Sequence, residues 1–240
     1  MLQVETVSRR YQQVTEHIAA AAQAAGRLPE DVRLVVVTKG HPLERVQELV
    51  AAGARRLGEN YVEEALAKLA GLTGERQLEW HMIGHVQSRK AEAVVENFDY
   101  LHSLDSLKLA QRLDRCAGEH GRRLLSLMEC NVSGESSKYG LPAWEEKHWE
   151  RLAEQMAPIL ELPNLKMCGL MTMPPFDPLP ESARPSFRRL RNLQSFLIEK
   201  FPNSDWGELS MGMSADYEVA IQEGATLVRI GTAILGARPD

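Results

Sequence analysis

Lys39 ends an unbroken run, Leu34-Val35-Val36-Val37-Thr38-Lys39, that stops at the turn signal Gly40-His41-Pro42. The residues before the lysine are all apolar or β-branched, the pattern of a strand buried on both faces. An amine at the end of such a strand is desolvated, its pKa falls, and a neutral amine can condense with an aldehyde. A strand-end lysine can equally carry its head group out to water. A second chemistry lies near the C-terminus, in Ser210-Met211-Gly212-Met213-Ser214 and Arg229-Ile230-Gly231-Thr232. Glycines let backbone N–H groups approach phosphate oxygens, and hydroxyls add donors. Ser214 or Asp216 could instead cap a helix, and Gly231 could be a simple turn.

These residues need a frame that brings them together. Residues 3–25 read as an amphipathic helix ending at Gly26. Apolar strand-like runs follow at 32–39, 55–59, 78–84, 100–104, 123–131, 165–173, 206–212 and 227–231. Helical stretches separate them, at 42–52, 60–69, 88–95, 106–120, 144–160, 185–200 and 215–222. The alternation argues for one (β/α)8 TIM-type barrel with an extra N-terminal helix, filling residues 1–240 as a single domain. An open doubly wound sheet is the alternative. Residues 131–140 and the proline-rich 173–185 read as loops on the C-terminal side of strands, where barrels carry their chemistry. Barrels often hold phosphate on the loops after strands 7 and 8, and the first strand is a neighbour of the last. Lys39 and the two hydroxyl-bearing segments would then face one small ligand. A phosphate with a condensing amine suits pyridoxal 5′-phosphate (PLP) or an aldolase's sugar phosphate. Arg229 shares a strand face with Gly231. A guanidinium beside a pyridine nitrogen would keep that nitrogen unprotonated and weaken the electron sink for carbanion chemistry.

Bulk properties narrow the classes. Apolar residues are 44% and charged residues 25% of the chain, an ordinary soluble composition. The net charge is −5 with no basic block, which argues against a nucleic-acid surface. Cys116, Cys130 and Cys168 are odd in number and far apart, as reduced core cysteines of a cytoplasmic protein would be. Met1-Leu2-Gln3-Val4-Glu5 has no signal-peptide character, and no apolar run approaches a membrane span. GxGxxG, Walker A and GxSxG are absent.

In order along the chain stand Val37-Thr38-Lys39, Gly58-Glu59-Asn60-Tyr61-Val62, Trp80-His81-Met82-Ile83-Gly84-His85-Val86-Gln87 and Gly169-Leu170-Met171-Thr172-Met173. Leu209-Ser210-Met211-Gly212-Met213-Ser214-Ala215-Asp216 and Arg229-Ile230-Gly231-Thr232 complete the set. Together they closely resemble the pyridoxal-phosphate homeostasis protein family, single-domain relatives of the alanine racemase barrel. The resemblance spans nearly the whole chain. It implies PLP as cofactor, carried on Lys39 as an internal aldimine, with Ser210, Gly231 and Thr232 on the phosphate and Arg229 at the pyridine nitrogen. Met211 falls within the same cofactor-binding segment, and Asn60 and Met171 would line the pocket from strand ends. The family is regarded as a cofactor carrier or buffer, which makes PLP-dependent apoenzymes the candidate recipients. Three positions depart from the family's usual pattern: Thr38 for Ser, Arg89-Lys90 for Asn-Lys, and Ile234-Leu235-Gly236 for Ile-Phe-Gly. These bear on local contacts rather than on cofactor binding.

Racemisation is the competing activity, and it needs two bases flanking the substrate's Cα. In alanine racemase the second is a tyrosine from a partner subunit, and a C-terminal β-domain follows the barrel. The sequence ends eight residues past Thr232, so that domain is expected to be absent and the protein monomeric. Tyr61 and Tyr139 are the tyrosines near mouth loops, and neither is clearly a base. The expectation is therefore a PLP carrier without turnover. His81 and His85 have the spacing of a helical zinc pair, but Gly84 and the apolar context suggest a strand ending in a turn, and no metal site is expected. Lys138 could make a second, weaker cofactor contact or be a solvated loop lysine, and Glu59 could orient polar groups near Lys39.

Overall fold

A computed structural model of the chain describes residues 6–72, 74 and 78–238. Its strands are β1 (Arg33–Val37), β2 (Arg56–Glu59), β3 (Glu79–Met82), β4 (Tyr100–Leu104), β5 (Leu124–Asn131), β6 (Leu141–Pro142), β7 (Leu165–Met171), β8 (Glu208–Ser210) and β9 (Leu227–Ile230). The helices are α1 (Val7–Ala24), α2 (Leu43–Ala51), α3 (Val62–Gly71), α4 (Ala91–Asn97), α5 (Leu107–Glu119), α6 (Trp149–Leu160), α7 (Arg184–Lys200), α8 (Tyr217–Gln222) and α9 (Thr232–Leu235). The strands run in the order β4-β3-β2-β1-β9-β8-β7-β5-β6, and a β4–β5 pairing closes the ring. Every strand pairing is parallel. The architecture is thus the expected closed (β/α)8 barrel, preceded by α1, with β6 as a short addition outside the ring. Residues 3–5 of the expected first helix, and the Met1–Glu5 segment, lie outside the described residues.

Strand alternation sorts the side chains into two layers. Val36, Leu57, Met128, Leu170, Val228 and Ile230 point outward into the main core beneath the helices. Val35, Leu127, Cys168, Met171 and Leu227 point inward and fill the barrel. The same parity carries the site. Val35 and Val37 are successive inward positions of β1, as are Leu127 and Glu129 of β5, and Leu227 and Arg229 of β9. The strand expected to run to residue 39 ends at Val37, and Lys39 follows in the turn just beyond it, lining the same cavity as Val37. Apolar side chains plug the lower barrel, and the next inward positions bring charge to its C-terminal mouth. No helix among the described residues is long and apolar enough to cross a membrane.

Element boundaries differ from the sequence expectation where local contacts compete with helix. The helix expected from 60 begins at Val62, leaving Asn60 in a bend just past the strand end and Tyr61 extended before the helix. The helix expected from 88 opens with a 3-10 turn, Ser88–Lys90. The helix expected from 144 begins only at Trp149, because the chain leaves β6 at Pro142 and passes through a 3-10 turn at Glu146–His148 first. There the Ala143 N–H donates to the Asn131 carbonyl, and its own carbonyl accepts from Trp149 Nε1. The strand expected at 206–212 is confined to Glu208–Ser210, since Gly212 turns the chain at a φ of 95°.

Candidate functional site

A cavity of about 900 Å³ opens at the C-terminal mouth of the barrel. Lys39, Asn60, Arg229, Gly231 and Thr232 line it, as do Glu129, Ser214 and Ala215. Its lining carries five basic side chains (Lys39, Arg89, Lys90, Arg229 and Arg238) against two acidic ones, Glu63 and Glu129. A protein of net charge −5 therefore has a positive mouth, which favours an anionic ligand.

Lys39 is held by a buried polar cluster under the first strand end. The Thr38 hydroxyl donates to Glu59 Oε1 at 2.6 Å. Lys68, reaching in from α3, donates to the same oxygen at 2.5 Å and to the Thr38 carbonyl at 2.7 Å. The Thr38 N–H donates to the Gly58 carbonyl, and the Gly40 N–H to Glu64 Oε2. The peptide bearing the lysine is thus fixed on both sides. Burial first, then the nearby Arg238 and Arg229 charges, push the Lys39 pKa down, while Glu59 and Glu64 oppose them. A lowered pKa raises the share of neutral, nucleophilic amine.

Arg229 enters from β9 with only 3% of its surface exposed. Its Nη1 donates to Ser210 Oγ at 2.6 Å and its Nη2 to the Thr172 carbonyl at 3.0 Å. Burial lowers its pKa to about 10, and it remains a cation at neutral pH. Behind it a chain of hydrogen bonds descends through the barrel. Ser210 Oγ meets His102 Nδ1, His102 Nε2 meets His81 Nδ1, and His81 Nε2 meets Glu79 Oε1, each at 2.8 Å. Burial lowers the pKa of both imidazoles, so both are neutral. One proton arrangement then satisfies every link. Arg229 donates to Ser210, Ser210 to His102, His102 to His81, and His81 to the Glu79 carboxylate.

The anion-binding character of the mouth rests on backbone. The Ser214, Ala215, Gly231 and Thr232 N–H groups have no hydrogen-bond acceptor among the described residues, and all four residues line the cavity. The Ser214 hydroxyl accepts from the Ala233 N–H, and Asp216 Oδ1 accepts from the Met213 N–H, which shapes the loop. At Gly231 a Cβ would stand 3.0 Å from the Val37 carbonyl oxygen, so glycine permits the two strand ends to approach. Free backbone donors at a shared rim suit a phosphate.

Three residues expected in the pocket lie elsewhere. Ser210 faces inward but sits a layer below the cavity, fully buried under the Arg229 guanidinium that it supports. Met171 belongs to the apolar plug within the barrel, and Met173, the next inward position, reaches the cavity instead. Met211 points outward into the main core. His81 and His85 do not converge. His81 is committed to Glu79 and His102, whereas His85 bonds Asp105 at 3.2 Å and stacks on Tyr139. Lys138 donates to the Pro174 carbonyl at 3.2 Å and lines an adjoining hollow. Sequence reading missed Glu129, Lys68, His102 and the Ala215 N–H, although Ser214 lay within the segment it assigned to phosphate. Glu129 and Lys68 had a signal, the one charge in the mostly apolar β5 and a lysine at helical spacing on the buried face of α3 (Val62, Ala65, Lys68).

Residues 10–239 match the family model of the alanine racemase N-terminal domain. The pyridoxal phosphate homeostasis protein of Pseudomonas aeruginosa is 44% identical, with 98% of this chain and 97% of that protein covered. The protein of the same name from Escherichia coli K12 is 40% identical, with 97% of each covered. PipY of Synechococcus elongatus, solved with PLP bound, superposes with a TM-score of 0.78 at 37% identity, covering 91% of this chain and all of that one.

Proposed function

The chain belongs to the pyridoxal phosphate homeostasis protein family, and on that premise we propose that it binds PLP through Lys39 and holds it for intracellular supply without turnover. The observation that carries this reading is the convergence of Lys39, Arg229 and four unused backbone N–H groups on one positive cavity. The donor set fits the cofactor group by group. Ser214, Ala215, Gly231 and Thr232 offer N–H donors to a phosphate. Lys39 offers an amine of lowered pKa to an aldehyde. Arg229 offers a cationic donor to an unprotonated pyridine nitrogen. When bound, PLP supplies an electrophilic carbonyl carbon that condenses with amines. The protein's part is to bind, orient and shield it. The buried Thr38–Glu59–Lys68 cluster fixes the lysine, and the relay behind Arg229 fixes the guanidinium. A positive partner at the pyridine nitrogen disfavours its protonation, and so disfavours the carbanions on which racemases depend. The apoenzymes of PLP-dependent enzymes are the recipients this reading implies.

The test is the visible absorption of the purified protein with added PLP beside that of Lys39→Ala. A yellow band in the wild type, fixed onto Lys39 by borohydride and lost in the variant, is the expected result. No band in either protein would return Lys39 to an aldolase or a solvated strand end. Lys39-dependent conversion of L- to D-alanine would overturn the carrier part of the reading.

A further inference from the structure

Glu129 sits at the end of β5 and lines the cavity with 3% of its surface exposed. In the closed ring β5 is four strands from β1 in either direction, so Glu129 and Lys39 approach the cavity from opposite walls. Its carboxyl takes part in no hydrogen bond or ion pair among the described residues. The other acidic lining residue, Glu63, is paired with Lys90. Of the charged groups facing Glu129, Asp105 raises its pKa, while Arg229 and Lys138 lower it. Burial outweighs both and pushes the pKa up to about 7. A buried carboxyl without a partner is costly unless it is neutral or receives a cation. The cavity, near the upper end of small-molecule pockets, has room for a second small ligand beside a cofactor.

We propose that Glu129 receives the ammonium group of an incoming primary amine and takes its proton, so that the amine can displace Lys39 from the cofactor. This deepens, and rests on, the PLP-binding reading. The exchange balances without an oxidant or reductant. The incoming nitrogen loses one proton to the Glu129 carboxylate and one more as its new C=N bond forms. That second proton passes to Lys39 Nζ, whose protonated C=N bond to the same carbon breaks, so that Lys39 leaves as a neutral free amine. A base with a pKa near the working pH suits such a transfer. The amine is that of an amino acid or of a lysine side chain on a recipient protein.

The experiment compares PLP-loaded wild type and Glu129→Gln, with glycine and Nα-acetyl-lysine amide as probes. Exchange is followed by stopped-flow absorption between pH 6 and 9. Its rate constant does not depend on the fraction loaded. Wild type should exchange about a hundredfold faster than the variant at pH 8. Its rate at fixed total amine should level off above about pH 7, whereas the variant's should keep rising with the free amine. The preferred probe identifies the amine's source. A second readout needs no cofactor. Infrared spectra of the apoprotein should show a protonated carboxyl band at pH 5 that vanishes by pH 9 and is missing from Glu129→Gln. Equal rates and equal pH profiles in two proteins that both load PLP, or no such infrared band, would overturn the role of Glu129 and leave PLP binding intact. Racemisation of alanine that depends on Glu129 would overturn exchange as its purpose. Failure of the wild type to load would overturn both readings.

Discussion

At the scale of single residues, the site is built from charges that the fold keeps dry, and their cost is measurable. Glu59 is fully buried, and burial raises its pKa against the hydrogen bonds from Lys68 and Thr38. Removing the lysine alone leaves an uncompensated carboxylate, so Lys68→Met should cost about 3–5 kcal/mol at neutral pH. Replacing both partners with apolar residues should recover much of that, because neither charge is then stranded. Urea melts of Lys68→Met and of the Lys68→Met/Glu59→Leu pair check both outcomes. Glu129 adds a pH dependence of known sign. Its folded pKa of about 7 lies above its ordinary value of 4.5, so the folded state binds the extra proton. The stability this contributes is fully present below about pH 4.5 and is lost as pH rises through 7. The difference corresponds to roughly 3 kcal/mol. Wild type and Glu129→Gln should therefore be similarly stable at pH 5, with the variant the more stable at pH 8. Parallel melts of the two apoproteins at both pH values check it, and curves that stay parallel across the range would contradict the buried-acid assignment.

At the scale of elements, the strand ends and the turns after them decide what reaches the cavity. Gly231 allows β9 to end against Val37. An added Cβ would press on the Val37 carbonyl oxygen at 3.0 Å and on the Val37 Cβ at 3.2 Å. Gly231→Ala should then shift the Gly231-Thr232 donors and weaken PLP binding about tenfold, while the melting temperature moves by only a few degrees. Titration of the visible band, with a melt of the same sample, separates the two effects. Gly84 is a sharper case, since its Cβ would fall 2.3 Å from the Asn60 carbonyl oxygen and force the two loops apart. Much of this framework was legible in the sequence. The apolar run to Lys39, the alternation of strands and helices, and the Ser/Gly segments near the C-terminus led to the barrel and to one mouth. What was not legible depends on depth along an inward face. Ser210 and Met171 have the right parity but lie one layer too low, and parity alone cannot say where the apolar plug ends and the cavity begins. The reach of Lys68 from a helix into a strand end, like the hydrogen bond between His81 and His102, joins residues whose separation in sequence carries no periodic signal.

At the scale of the whole molecule, the barrel is threaded by one polar path. It runs from Arg229 at the mouth through Ser210, His102 and His81 to Glu79, where Arg56 Nε donates to the same carboxylate oxygen at 3.0 Å. Buried polar groups in an otherwise apolar interior are tolerable only when each is satisfied, and here each donor has one acceptor. The path also has a direction. Its single proton arrangement leaves the Ser210 oxygen as the acceptor that holds the guanidinium at the mouth. A break anywhere below should therefore be felt above. His102→Leu removes the acceptor of the Ser210 hydroxyl and the donor to His81, stranding two buried polar groups at about 1–3 kcal/mol each. The apoprotein should melt lower by that amount, and Arg229, its support free to rotate, should bind PLP more weakly although it is itself unaltered. His120, which bonds Glu96 at the surface, provides the contrast, and His120→Ala should change neither quantity appreciably. A calorimetric melt and a PLP titration on wild type and both variants decide the matter. If His102→Leu lowers stability but leaves PLP affinity unchanged, the path is a device of folding alone and Arg229 is held in place by the Thr172 carbonyl.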